Sequence, residues 1–247
     1  MRLSRLARRV LPAPAFDALV RIGQRVARSR PREPMGIRPV SDIWGLDRGT
    51  PIEIYWIREF LRAHRADIRG RVLEVGDRRY TNELGQGVDR SDVLDLMEGN
   101  PEATIVGDLV SGRGIPDASF DCLLIVNTFL LIYEIGAAIR TCHRALRPGG
   151  VLLANFTGIA RRAEDPGYGP PGWHGAGDFW RYTSVSARRL CEEAFQADHV
   201  AISVRGSVRT AAASLYGLAA EELTQAELDL VDPRFEVAIF ARAVRPR

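Results

Sequence analysis

The first residues whose types and spacing suit chemistry are Glu74 and Gly76, which close the apolar run Arg71-Val72-Leu73-Glu74-Val75-Gly76. Glycine carries no side chain, so the polar part of a ligand can come up against the backbone there. Backbone N–H groups in a turn after a strand can hold a carboxylate or phosphate. Glu74 can accept hydrogen bonds from a ligand's ammonium group. A nucleoside site on such a strand calls for an acid roughly 20 residues further on, ending the second strand, to grip ribose hydroxyls. The stretch Val88-Asp89-Arg90-Ser91-Asp92-Val93-Leu94-Asp95 supplies three acids; Asp92 is the expected one, with Asp89 and Asp95 as alternatives. Ile105-Val106-Gly107-Asp108-Leu109 supplies a fourth. Chemistry that takes a proton from a hydroxyl would call for a base. His174, in Trp173-His174, is the best placed, with Asp178 and Tyr182 as alternatives. Trp173, Phe179 and Trp180 can stack on a sugar or aromatic ligand, or pack a lid onto the core. His143 reads as structural, and His64 and His199 receive no role.

Strands must position these residues. Apolar runs at 72–75, 120–126 and 151–156 each end at a polar or glycine turn. Their order and spacing describe one half of an open parallel sheet, with ligand-facing residues at the carboxyl ends of the strands. Further strands are expected at 88–94, 103–106, 200–204 and 235–243. Helices are expected at 51–66, capped by Thr50 with Pro51 in the first turn, at 134–146, and from a Thr183 cap to Phe195. Helical stretches at 209–220 and 224–231 belong to an insertion over 207–234. Residues 157–180, rich in Gly, Pro and aromatics, form a loop of the length usual for lids and binding loops.

All 34 basic residues are arginines, and the net charge is +3. Residues 1–40 hold ten arginines against two acids, so a basic arm precedes a mildly acidic body, 41–247. Phe16, Leu19, Val20, Gly23, Val26 and Ala27 share one helical face of the arm, and residues 29–40 read as a proline-rich linker. Such a helix can dock on its own domain or on a partner, lie on an anionic membrane surface, or remain a disordered or nucleic-acid-contacting tail. Arginines interrupt the apolar runs of the arm, so a secretory signal is not expected there. No run approaches the ~18 apolar residues of a membrane span. The body lacks the basic patch and interleaved aromatics of a nucleic-acid binder. Three scattered cysteines, Cys122, Cys142 and Cys191, read as buried thiols; neither a disulfide framework nor a metal site is expected, which fits a reducing cytoplasm.

Together, VLEVG (72–76), GDL (107–109), FDCLLIVNTF (120–129), HRALRPGGVLLANF (143–156) and DFWRYT (178–183) resemble the class I S-adenosylmethionine (SAM)-dependent methyltransferases of the methyltransferase-11 type, over residues 70–195. The resemblance implies an α/β, Rossmann-like, doubly wound sheet of seven strands, order 3-2-1-4-5-7-6, with strand 7 antiparallel. It implies SAM as cofactor, lined by Glu74, Gly76, Asp77, Asp92 and Asp108, with Asp108 at the adenine amino group and Asn127 near the sulfonium. Residues 44–52 (WGLDRGTPI) with VLEVGDRRYT also resemble a bacterial subgroup associated with glycan assembly. O-methylation of a glycan-like or other small acceptor is the expected activity, in the cytoplasm, with the arm at the inner membrane face or on a protein partner. The sequence departs from the family where Gly-x-Gly-x-Gly becomes Gly76-Asp77-Arg78-Arg79-Tyr80-Thr81. Asp77 can still position the methionine end, and Arg78 or Arg79 can either pair with the SAM carboxylate or close the pocket. A closed pocket would make the chain an inactive partner subunit of a biosynthetic complex. The histidine usual after the fourth strand is also missing from 128–133. An NAD or nucleotide-sugar enzyme is the weaker reading, since the first turn lacks GxGxxG.

Overall fold

The computed structural model describes residues 36–162 and 177–247. Seven strands form one sheet: β1 (Gly70–Val75), β2 (Val88–Asp95), β3 (Ile105–Val106), β4 (Phe120–Ile125), β5 (Leu146–Thr157), β6 (Val200–Arg205) and β7 (Ala238–Val244). Their order is β3-β2-β1-β4-β5-β7-β6. β1 to β5 pair in parallel, and β7 runs antiparallel to both β5 and β6. This is the seven-stranded Rossmann-like order expected from the resemblance.

Helices cover both faces, so the central strands are apolar on both sides. α1 (Ile52–Ala63), α2 (Arg79–Leu84), α5 (Val208–Tyr216) and α6 (Gln225–Asp229) contribute to one core. There Trp56, Leu61, Tyr80 and Leu228 pack on Val72, Cys122, Leu124, Leu153 and Phe240. α3 (Ile135–Ala145) and α4 (Ser184–Phe195) contribute to the other, where Ile139, Cys142, Cys191 and Phe195 pack with Leu73, Leu123, Ile125, Leu152 and Ile239. Consecutive strand residues alternate between the two cores, as the pleat requires. All three cysteines are free and buried, and burial pushes every thiol pKa up, that of Cys191 to about 12.

Thr183 caps α4 as expected, in a reciprocal arrangement with Ser186. Thr50 does not cap α1: its N–H and hydroxyl both go to Glu221, and Pro51 holds the cap position. The last strand starts at Ala238 rather than 235 because Glu236 is used elsewhere. Its carbonyl accepts from Ile159 and its carboxylate from Ser184. β5 starts at Leu146, five residues before 151, because Leu146 already pairs with Phe120. α5 and α6 lie between β6 and β7. The arm through residue 35, and Trp173 and His174 of the loop, lie outside the described residues. Among the described residues, no helix is long and apolar enough to cross a membrane, and no cluster of metal-ligating side chains occurs.

Candidate active site

The carboxyl ends of β1 and β2 form one edge of the site. Gly76 takes a left-handed φ of 82°, and its N–H donates to the Leu94 carbonyl at 2.9 Å. A side chain added there would meet nothing within 4 Å, so the space above this α-carbon is open. Asn100 ties the two strand ends together: its amide nitrogen donates to the Gly76 carbonyl at 2.7 Å and to Asp95 at 2.8 Å. Asp95 also accepts from the Met97 N–H at 3.1 Å. The backbone N–H groups of Asp77 and Arg78 have no acceptor among the described residues. Asp77 itself pairs with Arg79, and Arg78 turns away to the Glu102 carbonyl at 3.1 Å. Neither arginine lies over Gly76.

Beyond β3, Asp108 holds a tight turn by accepting from the Val110 N–H at 2.8 Å and the Ser111 hydroxyl at 2.7 Å. Burial pushes its pKa up, but these bonds outweigh it and leave the carboxyl below its ordinary range.

Two expected ligand residues have other work. Glu74 is buried and accepts from the N–H groups of Tyr80 and Thr81, at 3.0 and 2.9 Å, and from the Thr81 hydroxyl at 2.8 Å. It therefore caps the first turn of α2, whose N–H groups have no partner within the helix. Burial raises its pKa against these bonds. Asp92 is not at the strand end. It stands beside Leu73 in mid-strand, fully buried, and accepts from Arg71 at 2.7 Å, Arg90 at 3.0 Å and Thr104 at 2.9 Å. The acid that reaches the carboxyl edge is Asp95, three residues on, while Asp89 lies at the opposite end of β2 beside Gly87.

The ends of β4 and β5 carry a second polar group. Asn127 adopts φ 49°, a left-handed conformation that asparagine tolerates better than most residues and that marks a constrained turn. It exchanges two bonds with Asn155: its N–H donates to the Asn155 oxygen at 2.7 Å, and its own oxygen accepts at 2.8 Å. Asn155 also donates to Glu53 in the first turn of α1 at 3.2 Å, as does Thr157. Burial raises the Glu53 pKa, opposed by its bonds to Thr157 and Asn155 and by the nearby Arg181. Arg181 pairs with both oxygens of Asp178. Tyr182 is buried and donates to the Phe129 carbonyl at 3.0 Å; burial drives its pKa up, so it is a poor base at neutral pH. At the rim, the exposed ring of Tyr133 stacks with Trp180 at 5.5 Å and meets Phe179 edge-on at 5.4 Å. His143 packs on Phe195, and His64 bonds the Phe60 carbonyl, so neither is near this edge.

Sequence reasoning missed Glu53, Asn100 and Asn155. A polar residue directly after the buried run Val151-Leu152-Leu153-Ala154 was a signal for Asn155. Nothing local marks Glu53, which reads as an ordinary first-turn acid.

Residues 62–154 match the family described as a methyltransferase domain. Over residues 62–154, then, the chain is similar to a methyltransferase domain, and its sheet has the Rossmann-like order described above. Among solved structures, a possible exported protein from Bordetella parapertussis is 13% identical, with 92% of this chain and 79% of that one covered at a TM-score of 0.50. The 1,6-didemethyltoxoflavin-N1-methyltransferase of Burkholderia thailandensis is 16% identical, with 96% and 92% covered and a TM-score of 0.49. A putative methyltransferase, solved in complex with the Haloferax volcanii Trm112 methyltransferase activator, is 16% identical, with 79% and 90% covered and a TM-score of 0.48. No curated protein matches the chain.

Proposed function

We propose that the chain transfers a methyl group from SAM to an oxygen of a small, glycan-like acceptor. In this reading the methionine end lies over Gly76, with the N–H groups of Asp77 and Arg78 facing its carboxylate. Asp95 takes the ribose hydroxyls, Asp108 the adenine amino group, and Asn127 the neighbourhood of the sulfur. The observation that carries this reading is the open, left-handed Gly76, tied by Asn100 to an acid at the end of the next strand. The carboxyl edge of an open parallel sheet is where such ligands bind. The first loop has lost two glycines of the family pattern, yet its arginines turn outward, which favours a working pocket over a closed one.

SAM supplies a methyl group already activated for transfer, so the chain's main task is to hold the acceptor in line with it. Tyr133 and Phe179 supply exposed rings at the rim, with Trp180 half-buried beside them, and such aromatic faces suit a sugar or other flat acceptor. Residues 1–30 remain the segment through which an anionic membrane face or a partner protein would be met, on charge alone.

Calorimetric titration with SAM and with its product, S-adenosylhomocysteine (SAH), tests the pocket. Micromolar binding that is lost in Asp95→Ala supports it and leads to a labelled-methyl screen of glycan and phenolic acceptors. A folded protein that binds neither ligand would refute it.

A further inference from the structure

We propose, resting on the reading above, that Glu53 receives the acceptor's proton during methyl transfer, and that the acceptor therefore presents a protic oxygen at the ends of β4 and β5. Glu53 Oε1 is clamped by Asn155 and Thr157, each at 3.2 Å. Among the described residues nothing bonds Oε2. Nor is that atom sealed off, because the one buried side-chain polar atom without a partner there is Ser91 Oγ. One oxygen held and the other open is the arrangement a base needs: the protein sets the orientation and leaves a lone pair for the substrate.

A first-turn glutamate serving only the helix dipole gains nothing by turning inward. This one crosses to β5, to residues 102 and 104 positions away. Its hub, Asn155, also fixes Asn127, the residue that ends β4. Proton acceptor and methyl-transfer position are thereby held by one side chain. The charged groups that face Glu53 are Asp178 and Arg181, from the segment before α4. They are paired with each other. Burial moves its carboxyl toward the pH range where a base works best.

The chemistry balances without a further reactant. The bond between sulfur and methyl breaks, and its electron pair passes to sulfur. The acceptor oxygen forms the new bond to carbon and gives its hydrogen, as a proton, to Oε2 of Glu53. Solvent then takes that proton.

SAM and SAH differ by one methyl and one positive charge at sulfur, so their affinity ratio isolates groups beside the sulfur. The full chain is titrated with each between about pH 5 and pH 8. As Glu53 ionises, the preference for SAM over SAH should rise about tenfold, the equivalent of one pKa unit and the lower end of what an opposite charge within about 4–6 Å produces. Glu53→Gln, which keeps the shape and the bonds to Oε1, should flatten the ratio without changing SAH affinity or Tm. Glu53→Asp, which keeps the charge, should retain the pH dependence. A wild-type ratio that does not change with pH, or a change that survives in Glu53→Gln, overturns the assignment and leaves the methyltransferase reading standing. Failure of both ligands to bind a folded chain overturns that reading and this one with it.

Discussion

Asp92 and Asp95 lie three residues apart, and the structure predicts opposite phenotypes for them. The Asp92 side chain is 1% exposed, and its partner Arg71 retains 23%. Asp92→Asn leaves Arg71 half-buried without its counterion and turns an amide N–H₂ toward it or Thr104. Removing one partner of a buried pair costs about 3–5 kcal/mol. Arg71 keeps some water and stays 4.7 Å from the centre of the Phe120 ring, and Arg90 is 60% exposed, so the low end applies. The expected loss is about 3 kcal/mol, or a Tm lower by about 6–12 °C in a chain of this size. The effect depends on pH with a definite sign. Burial raises the Asp92 pKa, but the bonds from Arg71, Thr104 and Arg90 outweigh it, so the carboxyl lies below its ordinary range. A depressed folded pKa stabilises above the unfolded value of about 4 and loses that stabilisation as pH falls through the folded one. The gap in Tm between wild type and variant should therefore be full at neutral pH and close below about pH 4. Circular-dichroism melts across that range provide the assay. SAH affinity, measured on folded Asp92→Asn, should stay within about twofold of wild type. Asp95→Asn should shift Tm little and weaken SAH about tenfold or more, the size of one charge-assisted hydrogen bond. An Asp92→Asn protein with unchanged Tm and no SAH binding would refute the reasoning.

Gly76→Ala should cost about 1–2 kcal/mol for a left-handed alanine, since its methyl meets no atom, while SAH affinity falls at least about tenfold as that methyl fills the ligand's approach. Equal affinity in calorimetry would place the cofactor elsewhere. Phe156→Ala empties a fully buried site between the Phe129 and Tyr182 rings. It should lower stability by about 3–5 kcal/mol in urea melts. A loss below about 1 kcal/mol would mean that the site is looser than the packing shows. The three cysteines should resist a thiol reagent in the native protein at about pH 8 and react together in denaturant, since burial holds each as a thiol. Fast native labelling of any one would contradict its burial.

Much of the frame was legible along the chain because its causes are local. The apolar runs that become β1, β4 and β5 end at glycine, asparagine or a polar turn, and buried parallel strands need both features. Thr183 carries its own capping signal, with Ser186 three residues on. Gly76 announced its turn by type, since its φ of 82° suits no other residue as well. Sequence alone thus determined where most of the strands run, and the resemblance gave their order and direction.

Tertiary structure decided which side chains are left free to act there. Three acids along β2 look equivalent in sequence. The pleat and the register opposite β1 place Asp92 on the face of Leu73 and Arg71, where the charges consume it, and leave Asp95 at the edge. Glu74 looks like a ligand group until α2 folds back and supplies its three donors. Glu53 looks like a helix-end acid until α1 packs across the sheet and brings it to Asn155 and Thr157, more than a hundred residues away. A polar side chain's role depends on which partners reach it first, and those partners come from strands and helices that only packing makes neighbours.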